Sequence, residues 1–312
     1  MRNMKKNIII DCDPGHDDAI EILLALKDND ANLLGITTVA GNQTVDKTTL
    51  NALKILSLAG ERNIDVARGC SSPILERLTT APAIHGVSGL DGAHLPDPLS
   101  KIHSMHAVDF IKDKLKEFNT VTIVATGPLT NISLLLKLYP GIKENIERIV
   151  WMGGSYSMGN ITPDAEFNAF NDPEALKMVL DSNVDFTMVT LDVTHKTIFF
   201  KEDIKKIEEF GTRVGKTVSD LLYFFYKAYE DNFKLGGVPV HDACALVEAI
   251  HPGFIKTEYL NVDVQLSYGP SRGRTTVDFY SVTGKQENTH VSTDIDVKKF
   301  KDYVFDTLSK YK

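Results

Sequence analysis

The sequence predicts an α/β protein: an open, mostly parallel, doubly wound sheet with additional C-terminal helices and a hairpin. Short apolar runs alternate with helical patterns along much of the chain, the mark of repeated strand–helix–strand units. Several runs are apolar throughout, as in strands buried on both faces of a parallel sheet. No linker, repeat or low-complexity tract interrupts them, so residues 1–312 are expected to form one domain.

Taken in order, strands are expected at residues 7–13, 33–39, 120–125, 148–152 and 184–190. Helices are expected at 17–27, 45–59, 103–118, 129–138 and 173–180. In the second helix Ala52, Ile55, Leu56 and Ala59 follow the i, i+3, i+4, i+7 spacing, and Gly60 is a natural stop. Beyond Glu202 the patterns lengthen, through SDLLYFFYKAYEDNF and HDACALVEAI, into further helices. VDVQLSYGPSRGRTTVDFY then alternates on both sides of a Gly-rich turn and reads as a hairpin. Residues 79–98 carry no apolar period; a segment of that length inside a compact domain is expected to serve as a lid or binding loop.

Composition narrows the function classes. Net charge is −8, with 34 Lys and Arg against 42 Asp and Glu, which argues against a general nucleic-acid or anionic-membrane binder. Cys12, Cys70 and Cys244 show no CxxC spacing, so neither a zinc site nor a disulfide frame is expected. The opening MRNMKKNIIID is too poor in apolar residues for a signal-peptide core, and no run reaches membrane-spanning length. The expectation is a soluble cytoplasmic protein.

The chemistry concentrates in DCDPGHDD, which holds four aspartates in eight positions. Asp11 and Asp13 lie two apart and point to the same side of a strand. Pro14-Gly15 turns the chain, and Asp17 and Asp18 open the next helix, where its dipole favours negative charge. Helix capping explains one or two of these aspartates, but not Asp11 and Asp13, which precede the turn. A divalent cation would neutralise the repulsion, and oxygen ligands without nearby cysteine favour Ca²⁺ or Mg²⁺. The spacing is not that of an EF-hand. Three more polar clusters begin where strands end or helices start: ATGPLTN, MGGSYSMGNITPDAEFNAFNDPEA and VPVHDACALVEA. Thr126 ends a strand and could offer its backbone carbonyl to a metal. Asn160, Glu166 and Asn168 could bond a polyol, although each singly suits a loop cap. His241 and Asp242 point about 100° apart at a helix start, so one can face a metal while the other faces a leaving group.

With these residues in view, the chain resembles the inosine–uridine-preferring nucleoside hydrolase family. DCDPGHDDA matches the family's D-x-D-P-G-x-D-D signature. TTVAGNQT, IHGVSG, ATGPLTN, MGG, AEFN, DPEA, LDVTH and VHDACA follow in family order, over about residues 8–244. The resemblance implies the open parallel fold and hydrolysis of the N-glycosidic bond of ribonucleosides. It implies a calcium held by Asp13, Asp18, Asp242 and the Thr126 carbonyl, with Asp13 as general base. Asp17, Asn160, Glu166 and Asn168 match ribose contacts, with Asp242 shared between metal and sugar. Asn42 matches a residue near the attacking water, and Phe167 of AEFN joins the substrate-binding set. His241 matches the histidine that assists the leaving base. His85 matches a base-side lid residue, and Tyr229 an aromatic near the base. His195 fits the pattern but reads as structural, as does Asp11. Phe233 and Lys234 match no polar base contact, which leaves purine or pyrimidine preference open. Relatives of this kind assemble as dimers or tetramers, so a homo-oligomer is implied.

Two rivals remain. IIIDCDPG also resembles the strand end of haloacid-dehalogenase-type phosphatases, with Asp11 as nucleophile, Asp13 as acid–base and Mg²⁺; that reading leaves Asp17, Asp18, AEFN and VHD unused. A catalytically silent nucleoside- or ribose-binding protein on the same scaffold is the other.

Overall fold

The computed structural model describes residues 5–312; the leading MRNM, part of the signal-peptide reading, lies outside the described residues. Eight strands form the main sheet, in the order Val66–Arg68, Ala31–Thr38, Lys6–Cys12, Val121–Ala125, Ile146–Met152, Phe186–Val189, Thr289–Ile295, Ile255–Leu260. Every neighbouring pair is parallel except the last, which is antiparallel. Helices cover both faces. The strand Lys6–Cys12 shows why its run is apolar throughout: Ile8, Ile10 and Cys12 enter one core and Ile9 the other, all fully buried. Each such isoleucine contributes about 1.5–3 kcal/mol of burial.

All five expected strands form, with ends shifted by a few residues. Three further strands of the sheet were not expected. Val66–Arg68 is only three residues long, and the middle four residues of Ile255–Leu260 are all exposed. Thr289–Ile295, THVSTDI, is too polar to announce itself. Pairing to neighbouring strands, not side-chain alternation, makes these strands. The helix expected at 103–118 starts later, at Ala107–Glu117, because the His103 backbone N–H is drawn to the Val66 carbonyl, 2.8 Å away. His106 then caps the helix, its ring nitrogen accepting from the Val108 N–H. The long apolar patterns become Arg213–Phe233 and His241–Ile250, and an unanticipated helix, Val297–Leu308, follows. The hairpin is present as Val262–Val264 paired antiparallel with Thr275–Val277, outside the main sheet.

One polar clamp ties the N- and C-terminal parts together. Asp28, just past the helix His16–Lys27, accepts hydrogen bonds from His251 Nε2 and Tyr303 Oη, each 2.7 Å, and from the Asp30 N–H, also 2.7 Å. Burial pushes the carboxyl up, but these donors outweigh it and hold it at about 2. Because the folded value is depressed, the clamp's stabilisation is fully present above the unfolded value near 3.9 and is lost as pH falls through about 2. Asp28→Ala should therefore lower stability by about 1–3 kcal/mol at pH 7 in urea titrations, with little effect at pH 2.

Candidate active site

The first strand lies between Ala31–Thr38 and Val121–Ala125, and the chain winds outward from it in both directions. Its carboxyl end and that of Val121–Ala125, paired at Asp11 and Ala125, thus flank the point where the strand order reverses. In open parallel sheets ligands bind in that crevice. A cavity opens there, lined by Asp17, Asn42, Thr126, Asn160, Glu166, Asn168, His241 and Asp242 on its polar side. Ile84, Ile161, Phe167, Phe225, Tyr229 and Phe233 supply an apolar wall beside His85. Among the described residues, no lysine or arginine lines it.

The turn at Pro14-Gly15 delivers Asp17 and Asp18 to the first turn of His16–Lys27, and the start of His241–Ile250 brings Asp242 against them. Carboxylate oxygens of Asp17, Asp18 and Asp242 lie within 4.8 Å of one another, and all three residues are buried. Burial, reinforced by the neighbouring carboxylates, pushes Asp17 up to about 7 and Asp242 well above the ordinary range. Asp13 stands next to this trio, below the cavity surface. Its Oδ2 accepts the Asn42 N–H at 2.6 Å, while its Oδ1 is buried with no partner. Burial and the charge of Asp18 push its carboxyl well up. Gly41 of AGNQT permits this approach, since a Cβ there would fall 2.0 Å from Asp13 Oδ2.

Asp11 does not reach the cavity. Thr37 Oγ1 at 2.5 Å and Asn131 Nδ2 at 2.8 Å bond its Oδ1, so it braces the strand end. Glu166 caps the helix Phe167–Asn171, accepting from the N–H groups of Asn168, Ala169 and Gly154; burial raises it to about 7. Asn168 gives its amide hydrogens to the Thr126 and Met152 carbonyls, at 2.9 and 3.0 Å. Its side-chain oxygen is therefore left as an acceptor. Asn160 is the converse: its oxygen accepts from the Phe167 N–H at 2.8 Å, leaving its amide as a donor.

On the base side, His241 Nδ1 pairs with Thr194 Oγ1 and Nε2 with Tyr229 Oη, each at 2.7 Å. Burial, aided by His195, holds the imidazole well below its ordinary range, so His241 rests neutral. His195 sits beside His241, with ring centroids 5.5 Å apart, but does not line the cavity. His85, in the short helix Pro82–His85 of the long loop, faces the cavity and stacks on His16. Its Nδ1 accepts the His16 backbone N–H, which leaves the proton of the neutral ring on Nε2. Lys234 takes a left-handed conformation and ends the helix Arg213–Phe233, its backbone N–H donating to the Tyr229 carbonyl.

Ile84, Met152, Ile161, Phe225 and Phe233 of the lining were not expected from the sequence, nor were Thr194 and Glu21 behind it. Phe225 and Phe233 fall four residues either side of Tyr229, a helical face that FFYKAYEDNF displays. Thr194 carries no signal of its own. Glu21 does: it is an acid inside the apolar run AIEILLAL, four residues after Asp17 and fully buried.

The fold and the site together define an α/β enzyme whose pocket joins an acidic polar side to an apolar wall. Comparison with known proteins makes the class specific. The family model described as inosine-uridine preferring nucleoside hydrolase matches residues 8–302, and the chain belongs to this family. It is 44% identical over 310 residues, covering 99% of both chains, to the pyrimidine-specific ribonucleoside hydrolase RihA of Shewanella woodyi. It is 43% identical over 297 residues, 95% of each chain, to the pyrimidine-specific ribonucleoside hydrolase RihB of Escherichia coli K12. Among solved structures, the purine-preferring ribonucleoside hydrolase from Gardnerella vaginalis superposes with a TM-score of 0.92 at 34% identity, over 97% of this chain and 98% of that one. The protein is thus a ribonucleoside hydrolase, acting on an N-glycosidic bond. No helix among the described residues is long and apolar enough to cross a membrane.

Proposed function

We propose that the enzyme hydrolyses ribonucleosides to ribose and free base in a calcium-dependent reaction, with Asp13 as general base and His241 assisting the departing base. The observation that carries this reading is the buried convergence of Asp13, Asp17, Asp18 and Asp242, with no lysine or arginine of the described residues in the adjoining cavity. The donor set fits a hard divalent cation: every ligand is oxygen, and Asp13 Oδ1 is buried with no partner. Asp13, Asp18, Asp242 and the Thr126 carbonyl would hold the ion, which when bound supplies charge neutralisation and orients water and sugar.

The chain's own residues do the rest. Asp17 and the Asn168 oxygen accept from ribose hydroxyls, and the Asn160 amide donates to the sugar. Carboxylates around the ribosyl ring stabilise the positive charge that develops as the bond to the base breaks. Asp13 takes the proton of the attacking water. The base departs against Phe225, Tyr229 and Phe233, and the His241–Tyr229 pair delivers its proton. The phosphatase reading requires Asp11 as nucleophile, but its Oδ1 is engaged by Thr37 and Asn131, and that reading leaves Asp17, Asp18 and Asp242 unused.

The relatives named pyrimidine-specific support uridine and cytidine as the better substrates. A panel of uridine, cytidine, inosine and adenosine, read by release of free sugar, tests both claims. Activity should be lost on chelation and restored by Ca²⁺; full activity in metal-free protein would refute the calcium assignment, and inosine exceeding uridine would refute the base preference. His241→Ala should slow natural nucleosides by ~10²-fold or more while sparing p-nitrophenyl riboside, whose phenolate leaves unaided. Equal losses on both would assign His241 to binding or structure.

A further inference from the structure

One buried acid has no part in the reaction as drawn. Glu21 lies three residues after Asp18 and four after Asp17, on the same face of the helix His16–Lys27, and is 0% exposed. Like Asp13 and Asp18, it lies behind the residues that line the cavity, and the reaction above gives it no role. Its Oε2 accepts the Thr126 hydroxyl at 2.9 Å, and its Oε1 is buried with no hydrogen-bond partner. The same hydroxyl lies 3.3 Å from Asp18 Oδ1. A hydroxyl has one proton to give, and the nearer acceptor is Glu21, so Asp18 Oδ1 keeps its lone pairs. At the other end of the residue, the Thr126 carbonyl accepts Asn168 Nδ2 at 2.9 Å and retains a second lone pair.

We propose that Glu21 is a positioning residue of the cation site: it fixes Thr126 through the side-chain hydroxyl and keeps that hydroxyl off Asp18, leaving the Thr126 carbonyl and the Asp18 carboxylate free to ligate. The inference rests on the calcium reading above and names a residue beyond its ligands. Glu21 serves only when a cation is bound. Without one, an acid with an unpartnered oxygen stands beside Asp17 and Asp18 in a dry interior, which destabilises the fold. The two effects have opposite signs, and that separates this role from ordinary packing.

The test is calcium titration by isothermal calorimetry, paired with thermal unfolding of metal-free protein, on the full chain. Glu21→Leu should raise the metal-free melting temperature and weaken Ca²⁺ binding by ~10–100-fold, the usual loss when a residue behind a ligand is removed. Glu21→Gln keeps an acceptor for the Thr126 hydroxyl and should bind Ca²⁺ close to the parent affinity. Should Glu21→Leu not fold, Thr126→Val removes the same hydrogen bond from the donor side and should weaken Ca²⁺ binding comparably. Parent-like affinity in Glu21→Leu or Thr126→Val overturns the assignment, as does a Glu21→Gln variant as weak as Glu21→Leu. A parent chain that takes up no Ca²⁺ would instead overturn the calcium reading, and this inference with it.

Discussion

Asp13→Asn should fold, judged by an unchanged near-ultraviolet dichroism spectrum, and lose ~10²–10⁴ of kcat on every ribonucleoside. Asparagine is nearly isosteric, and its side-chain oxygen can still accept the Asn42 N–H that now binds Asp13 Oδ2 at 2.6 Å. The amide nitrogen must then occupy the position of Oδ1, the one oxygen of this carboxylate without a partner. An amide there cannot accept a proton from water. The loss corresponds to about 3–5 kcal/mol of transition-state stabilisation. The substitution also removes one negative charge from the cluster, so Ca²⁺ affinity has to be measured alongside the rate. With calcium saturating, the loss should persist in kcat. A variant that folds, binds calcium and turns over at the parent rate would remove Asp13 from the role of base.

Discrimination against 2′-deoxynucleosides should be comparably large. Asn168 has committed both amide hydrogens to backbone carbonyls, so toward the ligand it offers only an acceptor. Asp17 offers acceptors as well. Both therefore require a hydroxyl proton from the sugar, and a missing hydroxyl leaves a buried acceptor unpaired. Sites built to bond a hydroxyl reject the deoxy analogue by ~10⁴ or more. Intrinsic chemistry runs the other way, because a 2′-deoxyribosyl cation forms more easily once the electron-withdrawing hydroxyl is gone. The ratio of kcat/KM for uridine and deoxyuridine thus measures the site and not the bond. A ratio near one would mean that the acidic pocket does not read the sugar's hydroxyls.

The parts of this protein that were legible in its sequence are those governed by local rules. A strand buried on both faces needs an unbroken apolar run, and the run ending in DCDPGHDD displays both the strand and the charge that the fold must accommodate. The helix near residues 45–59 was readable because Ala52, Ile55 and Leu56 repeat at helical spacing toward the core, with Asp46, Leu50 and Lys54 on its more open side. The strands at the antiparallel edge were not, since Ile255–Leu260 exposes its middle and owes its form to pairing with Thr289–Ile295. Helix 103–118 was read too long for the same reason: a hydrogen bond from a distant strand claimed His103.

By itself the sequence determined that a cluster of like charge sits at a strand end, with polar motifs poised at other strand and helix ends. Composition and short spacing decide such matters, because neighbours in the chain share a turn of helix or a side of a strand. Only the tertiary structure decided what each group does there. Asn42 orients Asp13 across 29 residues, Asn168 spends its donors on Thr126 across 42, and Thr194 meets His241 across 47. Glu21 reaches Thr126 across 105 residues. Hydrogen-bond partners so far apart are chosen by how strands order within the sheet, and burial there sets which oxygen is satisfied and which is left free. A carboxylate's residue type is written in the chain; its free lone pair is settled by the fold.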